Sequence, residues 1–521
     1  MTYKYLDSKR ISGLSTDATA VSGGWKELGR TTLSNTPTGT ADYTAGSTSY
    51  GTGDSGSAVD LQTQVGSTLG NSWTLRFKLT MTSKANNLIF MVQDINTIDE
   101  TTTRDGIGLR QTASTSYYDL EGCNGTAPTG GQYDHRFTTT PAIDTKYVQI
   151  TRVSETSASI QFWNSTYTTV SESSDNIPIA DITNLRYFVI YNNGSAFTID
   201  EVSFWNNSAS TGAGDNITVS GLADKRYYMV LGSTTNGSGG GTQQSLQFNG
   251  DGASNYGRRY NSNGSEASSM ATRISTGANP ATSSLGYTVG YVANKSDKNK
   301  MVVSSGVDTY GSNAPSKYMA VGKWQNASDA INSISIFNPT SGDFQVGSEC
   351  VVLGWDSTST DTDNFWTELK NVSGDGTSSF DTGSFALKKY LWIQVYIDRS
   401  GGSNNTEFTC GTGGSLDTGA NYARRINEDG GADETANMTA QSKMESATYG
   451  EEEFYNMFVL NTSTHSKIFT VKGNNSSSTQ SHILQASYKW VNNAQMNIFG
   501  VSSGGSNTLS TSSRIKVWGS D

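Results

Sequence analysis

The stretch that decides the fold is residues 73–81, WTLRFKLTM, in which every odd position is apolar and every even position is polar. An alternation with a period of two residues is typical of a β-strand that buries one face and exposes the other to water. Clusters of Asn, Gly, Ser and Asp separate further runs of this kind, and at residues 192–195 they predict a hairpin. So many strands within about 200 residues predict a β-sandwich. The further strands are predicted at residues 88–92, 147–153, 159–163, 185–191 and 197–205.

Composition extends this prediction to the whole chain. The 521 residues are enough for three or four domains, at roughly 100–200 residues each. Charged residues make up only 16%, aromatic residues reach 10%, and Gly (56) far outnumbers Pro (7). Many aromatic residues exclude a disordered chain, and few charges with abundant Gly, Ser and Thr are typical of short strands joined by tight turns. The predicted fold class is all-β, built of tandem jelly-roll β-sandwiches.

Several classes of function are disfavoured by the same sequence. The net charge is −11 and no Lys/Arg run occurs, so nucleic-acid binding is not expected. Three widely spaced Cys and three His leave few candidates for a disulfide framework, a zinc site or a catalytic triad. Neither an apolar run at the start of the chain nor a stretch of 18 apolar residues is present. No secretory signal and no membrane span are therefore expected.

The strand order from residue 60 to 207 resembles the concanavalin A-like/laminin-G-like jelly-roll family. The resemblance rests on SWTLRFKLTM at residues 72–81 and on the closing LRYFVIYNNGSAFTIDEVSFWNN at residues 185–207. It implies a sandwich that binds glycans, often with calcium, or that serves as a structural domain. The hydrolase branch of the family carries an ExDxxE run, which is missing here, and this disfavours a glycosidase.

The remainder of the chain repeats itself at an offset close to 166 residues. The pattern N-Y-x-R-R occurs at 255–259 and 421–425, and a Lys-Trp pair at 323–324 and 489–490. We therefore predict four segments, which are 1–59 as an N-terminal docking segment or partial module, 60–210 as the sandwich, and 211–356 and 357–521 as two copies of one jelly-roll module. A fainter similarity links residues 25–28 to 366–369, so the sandwich either follows or is inserted into a remnant of the same module.

The two copies resemble jelly-roll modules of virion proteins from tailed viruses, especially marine ones. The phrase FNGD at residues 248–251 and the N-Y-x-R-R pattern carry this resemblance. It implies a virion structural protein and no enzymatic activity.

Candidate site residues follow from the sandwich and from the repeat. Glycan contact is predicted for Tyr117, Tyr118, Tyr133 and His135, since aromatic rings stack on sugars. The family resemblance implies that Asp105 and Asp200 contact the sugar directly or hold a calcium ion. The repeated positions are Arg258, Arg424, Trp324 and Trp490, where the arginines could bind an acidic glycan or a phosphate and the tryptophans could stack on sugars. Their recurrence at matched places favours instead a scaffold role for the arginines and a core role for the tryptophans.

The predicted function is that of a non-enzymatic virion protein, such as a fibre, tail appendage or capsid decoration, that contacts host surface glycans. Virion proteins assemble in the cytoplasm and leave the cell by lysis. A virion protein can therefore have a composition typical of extracellular proteins without carrying a secretory signal. Expected partners are other virion proteins and further copies of this chain, as a homotrimer, and the expected location is the virion surface. The alternative is an extracellular protein, either a secreted or cell-surface adhesin or a carbohydrate-binding module.

Overall fold

The computed structural model describes residues 24–521 apart from short gaps. The gaps are residues 35–36, 38–39, 54, 85–86, 112–116, 129–132, 155–156, 168–169, 175–176, 180–181, 207–214, 237–241, 278–283, 310–313, 341, 357–362, 401–404, 445–451, 477–480 and 506. Nearly all regular structure in the described residues is antiparallel β-sheet, which confirms the all-β prediction. No helix in these ranges is long and apolar enough to span a membrane.

The chain divides into two compact units. One unit, called here the inserted sandwich, comprises residues 34–213, and the other, the repeat unit, comprises residues 1–33 together with 214–521. The segment predicted for residues 1–59 is thus divided between the units. The reason is strand pairing, because β1 (Lys26–Thr32) joins a sheet of the repeat unit, whereas the strands between residues 43 and 60 pair within the sandwich.

The inserted sandwich consists of two antiparallel sheets, with strand orders β12-β11-β10-β5-β15-β2 and β4-β14-β6-β7-β8-β9, and β3 and β13 pair at the margins of the first. Its elements are β2 (Tyr43–Ala45), β3 (Thr48–Tyr50), β4 (Ser55–Asp60), α1 (Leu61–Val65), β5 (Trp73–Ser83), β6 (Leu88–Gln93), β7 (Arg104–Gln111), β8 (Tyr118–Thr126), β9 (Tyr133–Arg136), β10 (Thr145–Ser154), β11 (Ser157–Trp163), β12 (Val170–Ser173), β13 (Ile177–Pro178), β14 (Tyr187–Asn192) and β15 (Ala196–Asn206).

Strand β5 lies in the middle of the first sheet and sets the core. Its odd positions from Trp73 to Met81 are all buried between the sheets, as the alternation predicts. The even positions depart from the prediction of a water-facing side. Thr74 and Arg76 are buried as well, because aromatic side chains from other strands cover the outer face of this sheet.

The repeat unit contains two copies of one fold. The first copy has β1, β16 (Asn216–Ser220), β17 (Tyr227–Thr235), β18 (Ser245–Phe248), β19 (Tyr256–Ser262), β20 (Ser265–Ala271), β21 (Ile274–Ser275), β22 (Leu285–Ala293), β23 (Lys300–Asp308), β24 (Ser316–Trp324), β25 (Ser333–Phe337) and β26 (Glu349–Trp355). The second has β27 (Thr367–Ser373), β28 (Ser379–Asp381), β29 (Tyr390–Ser400), β30 (Glu407–Thr412), β31 (Ser415–Leu416), β32 (Tyr422–Glu428), β33 (Glu434–Thr439), β34 (Ser442–Lys443), β35 (Glu452–Leu460), β36 (Lys467–Ser476), β37 (Ser481–Trp490), β38 (Ile498–Ser502), β39 (Thr508–Leu509) and β40 (Arg514–Ser520).

The large sheets of the two copies have the same strand order. It is β1-β26-β17-β22-β23-β24-β19-β20 in the first copy and β27-β40-β29-β35-β36-β37-β32-β33 in the second, and each large sheet faces a small one across an apolar core. Strands β1 and β27 are equivalent, since each pairs with the last strand of its copy and each has a register shift, after Glu27 and after Glu368 respectively. The sandwich therefore interrupts the first copy after its first strand.

The outer faces of the two large sheets pack against each other. Met229 and Leu231 of the first copy and Trp392 of the second share one buried apolar cluster with Trp25 and Trp366. The rings of Tyr291 and Phe458, which occupy equivalent register positions, lie 6.3 Å apart between centroids. Contact between equivalent residues is the property of an isologous interface, here formed within one chain.

We expect Trp392→Ala to lower the free energy of unfolding of the repeat unit by about 3–5 kcal/mol, because its ring packs on Trp366, Phe458 and Trp518 and leaves a cavity. Urea unfolding monitored by circular dichroism measures this change. The control is Ile143→Ala, at a side chain that is 70% exposed, which should change stability by less than about 0.5 kcal/mol. Equal effects of the two substitutions would contradict the burial of Trp392 in this aromatic core.

Candidate functional site

The most distinctive polar group of the inserted sandwich is Arg76, in the middle of β5. It lies on the outer face of the sheet, opposite Gln149 of β10 and Ser203 of β15. Its Nε donates a hydrogen bond of 2.7 Å to Oε1 of Gln149. A guanidinium at this depth needs favourable surroundings, because desolvation disfavours a charged group.

Three aromatic rings provide those surroundings. The guanidinium carbon of Arg76 lies 4.4 Å from the ring centroid of Tyr167, 5.6 Å from that of Trp163 and 5.7 Å from that of Trp205. The negative faces of the rings attract the cation. Burial lowers the pKa of Arg76 to about 10, so the side chain remains protonated at neutral pH. We call Arg76, Trp163, Tyr167 and Trp205 the aromatic cluster.

Tyr167 is held over Arg76 by an unusual backbone. Its φ of 53° lies in the left-handed region, which a bulky residue rarely adopts. Its hydroxyl donates to the backbone oxygen of Phe77 at 3.1 Å, and its ring meets Tyr147 edge-on at 5.7 Å. Strained conformations of this kind persist where surrounding contacts fix them, and they concentrate at functional sites.

A row of amide side chains continues from the cluster across the sheet. Gln149 donates through Nε2 to Oε1 of Gln161 at 2.9 Å, and Gln161 donates to the hydroxyl of Ser173 at 3.4 Å. Planar amides, a guanidinium and aromatic faces are groups that stack on sugar rings and form hydrogen bonds with their hydroxyls. Glutamine does not titrate and burial raises the pKa of Tyr167, so these side chains are not suited to proton transfer. Arg76, Trp163 and the two glutamines are buried, whereas Tyr167 and Trp205 are half-buried and offer ring surface to a ligand.

The residues predicted for glycan contact lie elsewhere, on β8 and β9. Tyr118 faces the core, where its ring packs 5.3 Å from that of Phe162, so it is not available to a ligand. The neighbouring Tyr117 points to the opposite face of the sheet and is 39% exposed. The guanidinium carbon of Arg136 lies 5.1 Å from its ring centroid. His135 is half-buried and packs edge-on against Phe137, whereas the side chain of Tyr133 lies outside the described residues.

The predicted calcium ligands Asp105 and Asp200 are not brought together. Asp105 is on β7 in one sheet and accepts hydrogen bonds from the backbone nitrogens of Gly125 and Thr183. Asp200 is on β15 in the other sheet and accepts from the nitrogen of Glu201. In the part of the chain that the structure describes, no group of three or more His, Cys, Asp or Glu side chains is arranged to hold a metal ion.

The repeated tryptophans occupy equivalent places in the two copies. Trp324 pairs in register with Tyr256, and Trp490 with Tyr422, and both indoles are buried. The indole nitrogen donates to Asp251 at 2.7 Å in the first copy and to Asp417 at 2.8 Å in the second.

The repeated arginines also occupy equivalent strand positions, on β19 and β32. Arg258 donates to the hydroxyl of Ser269 at 3.0 Å, and Arg424 pairs with Glu434. These contacts join neighbouring strands within each copy, where Arg258 is opposite Ser269 in the register.

The prediction from sequence missed the aromatic cluster. A usable signal was present, because Trp163 and Trp205 each follow a Phe. Phe162 and Phe204 are buried in the core, so strand alternation places the following Trp on the outer face.

Comparison with known proteins adds limited information. No protein-family model matches the chain, and no curated protein matches it. Among solved structures, the chain is similar to the CBM40 of Ruminococcus gnavus IT-sialidase bound to alpha2,3 sialyllactose, with 12% identity and a TM-score of 0.23 over 33% of this chain and 95% of that one. It is also similar to the LG4-5 domains of the mouse laminin alpha1 chain, with 8% identity and a TM-score of 0.21 over 67% and 96% of the two chains. Scores this low carry no argument, and the fold assignment rests on strand order.

We expect Asp251→Ala and Asp417→Ala each to lower the free energy of unfolding by about 1–3 kcal/mol, because each leaves a buried indole nitrogen without its acceptor. Burial opposes ionisation of these carboxyls, but the hydrogen bonds that they accept lower their pKa below the ordinary 3.8. A lowered folded-state pKa stabilises the fold above pH 3.8, and this contribution is lost as the pH falls further. Urea unfolding should therefore show that the free energy of unfolding falls less steeply between neutral and acidic pH in both variants than in the parent chain. An unchanged pH dependence would contradict this role.

Proposed function

We propose that the protein is a non-enzymatic structural protein of a virion surface, as a fibre, tail appendage or capsid decoration, and that its inserted sandwich contacts host glycans. The aromatic cluster is the observation that carries the glycan part of the proposal. Its two half-buried rings, Tyr167 and Trp205, offer aromatic surface on the outer sheet face to a sugar, and the buried Arg76 lies against both of them.

The state of the reactive side chains supports a role without catalysis. Cys123, Cys350 and Cys410 are all buried and unbonded to one another, and burial raises the pKa of Cys350 and Cys410, so neither is a ready thiolate. The carboxylate of Asp429 accepts a hydrogen bond of 2.5 Å from Nδ1 of His482. The side chains of Asp105, Asp251 and Asp417 hold loops or indoles in place, as described above.

Repetition supports the virion part of the proposal. The two copies bury their large sheets against each other, and the sandwich is inserted into the chain of this repeat unit rather than added at its end. This organisation suits a protein that presents a binding domain from a particle.

We expect Trp205→Ala to weaken retention of the full chain on its best glycan by about tenfold or more, because one stacking surface is lost. The measurement is a glycan array followed by titration, with and without calcium. Tyr117→Ala is the matched aromatic control in the same unit and should leave retention unchanged. If only Tyr117→Ala weakens retention, the glycan contact lies at the start of β8 and not at the aromatic cluster. Absence of binding to every glycan would contradict the glycan role.

We expect the chain to co-purify with virus particles through density-gradient banding, as seen by mass spectrometry of the band. Treatment with an antibody against the chain should reduce particle adsorption to host cells, as a surface location requires. Recovery of the chain only from the particle-free medium would contradict the virion assignment and favour the secreted adhesin.

A further inference from the structure

A row of polar side chains crosses the outer face of the second copy's large sheet. The register of β40, β29, β35, β36, β37 and β32 joins one residue from each strand into this row. The residues lie on the outer face because Trp392, Phe458 and Trp518, two positions away on their strands, belong to the apolar cluster between the copies. We call them the amide–lysine row, and its members are Lys516, Gln394, Asn456, Lys472, Gln485 and Asn427.

The equivalent row of the first copy is largely apolar. At the positions of the first three members, the first copy has Val351, Leu231 and Val289, and all three are buried in the cluster between the copies. The same three positions are half-buried in the second copy, so the two sheets cover each other unequally. The sheet itself therefore does not require amides and ammonium groups at these positions.

The amide–lysine row is cationic although the chain is acidic. The chain has 36 Lys and Arg against 47 Asp and Glu, yet the row contains two lysines and no acid. Arg514, two residues before Lys516 on the same face, is exposed and adds a third cation, which donates to the hydroxyl of Ser373 at 3.2 Å. A surface that is polar only for solubility normally mixes both signs of charge. The row thus favours an anionic ligand.

Lys472 has the least favourable surroundings in the row. It is half-buried, and burial lowers its pKa without an opposing contribution from a carboxylate. Neither Lys472 nor Lys516 forms an ion pair in the part of the chain that the structure describes. The buried Lys317, by contrast, has the carboxylate of Asp433 at 2.6 Å. A partly desolvated cation without a counter-ion is unfavourable, and a bound anion relieves that cost.

One end of the row opens into a cleft of about 720 Å³ between the copies. Gln485 and Asn427 line the cleft from the second copy, and Val303 and Val321, which are 43% and 51% exposed, line it from the first. Lys472 pairs in register with Gln485, so the two side chains are neighbours on one face. Apolar side chains next to amides suit a sugar ring, which has an apolar C–H face and polar hydroxyls.

The two carboxylates that line the cleft are engaged by other groups. Glu266 pairs with Arg259 at 2.6 Å. Asp429 accepts hydrogen bonds from Nδ1 of His482 and from the backbone nitrogen of Ile483. Donors of the chain thus offset both carboxylates, whereas no carboxylate of the described residues offsets the lysines of the row.

We infer that the amide–lysine row and the adjoining cleft bind a linear polysaccharide that carries anionic groups. The ammonium groups of Lys472 and Lys516 bind the anionic groups, and the amides form hydrogen bonds with hydroxyls. Three strand spacings of about 4.8 Å separate the two lysines, about 14 Å in all, so a chain that lies across the strands contacts both. The row belongs to the repeat unit, and the inference does not rest on the glycan contact proposed for the inserted sandwich.

An acidic peptide fits this surface less well than a sugar chain. Each of the six strands has a neighbour on both sides within the sheet, so none offers an open edge to a peptide backbone. A peptide is left with side-chain contacts alone, whereas the hydroxyls of a polysaccharide match the amides along the whole row.

The test uses the full chain and a fluorescently labelled galacturonate hexamer in the presence of EDTA. The methyl ester of the same hexamer is the matched probe, since it keeps the hydroxyls and lacks the charge. Fluorescence polarisation at low salt should show saturable binding of the acid with a Kd below about 1 mM, and binding of the ester that is about tenfold or more weaker. Added NaCl should weaken binding of the acid, because salt screens charge interactions.

Dextran sulfate and dextran extend the comparison to a second anionic group. Stronger binding of dextran sulfate than of dextran, with loss in the lysine variants described next, would support the inference and assign sulfate as a group that the row accepts. The ratio between the two acidic probes then distinguishes a carboxylated from a sulfated polysaccharide.

Two substitutions locate the site. Lys472→Gln and Lys516→Gln should each weaken binding of the hexamer by about fivefold or more, because each removes one charge interaction. Lys298→Gln is the matched control, at a loop lysine of the first copy that is 69% exposed, and should bind normally. Circular dichroism of each variant, compared with the parent chain, separates loss of binding from loss of folding.

A further variant reports on the row without removing a charge. Because the three native cysteines are buried, Gln394→Cys provides one thiol in the row that maleimide can reach. Its labelling should slow on addition of the galacturonate hexamer and should not slow with the methyl ester. Labelling that is unaffected by a hexamer concentration sufficient for binding would place the ligand elsewhere and contradict the inference.

Three other results would overturn the inference. One is equal binding of the acid and its ester, and a second is unchanged binding in both lysine variants, with loss in Trp205→Ala instead, which would assign the anion to the aromatic cluster. The third is tighter binding of poly-L-glutamate than of every polysaccharide, which would make the ligand an acidic polypeptide.

Discussion

The structure of the repeat unit depends on the apolar interface between the two large sheets. Each of these sheets is hydrophobic on both faces, since one face covers a small sheet and the other carries side chains such as Met229 or Trp392. A sheet with two apolar faces is unstable in water unless both are covered. The duplication supplies the cover, because the second copy offers the same face to the first. Neither copy is expected to be stable without the other.

That constraint also explains the position of β1. The last strand of the first copy, β26, would otherwise be an open edge beside the interface, and β1 pairs along it from Lys26 to Thr32. Trp25, immediately before β1, enters the same apolar cluster as Trp366, immediately before β27. The first strand is therefore part of the repeated fold even though an insertion of about 180 residues separates it from the rest of its copy.

The sequence predicted what local periodicity and repetition encode. The alternation in β5 identified its core face, and the offset near 166 aligned strands that proved to have equivalent partners. Local patterns did not reveal that Arg76 is covered, since the covering rings of Trp163, Tyr167 and Trp205 come from positions 87 or more residues away. The prediction for Tyr118 was wrong because it placed the side chain on the wrong face of the sheet. Two adjacent tyrosines were assigned to one surface, whereas a strand places neighbours on opposite faces, so that Tyr117 is exposed and Tyr118 is in the core.

Duplication within one chain frees the two halves of an interface to diverge. In a homodimer, a change from lysine to isoleucine alters both symmetric contacts, so a buried acid is left without its cation twice. In this chain, Lys317 stands at one position and Ile483 at the equivalent one, so only the first forms a buried ion pair between the copies, with Asp433. At the equivalent position, Glu266 pairs with Arg259 of its own copy, and both side chains are exposed. Equivalent acidic positions thus carry a buried ion pair between the copies in one case and an exposed pair within a copy in the other, a difference that a symmetric dimer cannot make.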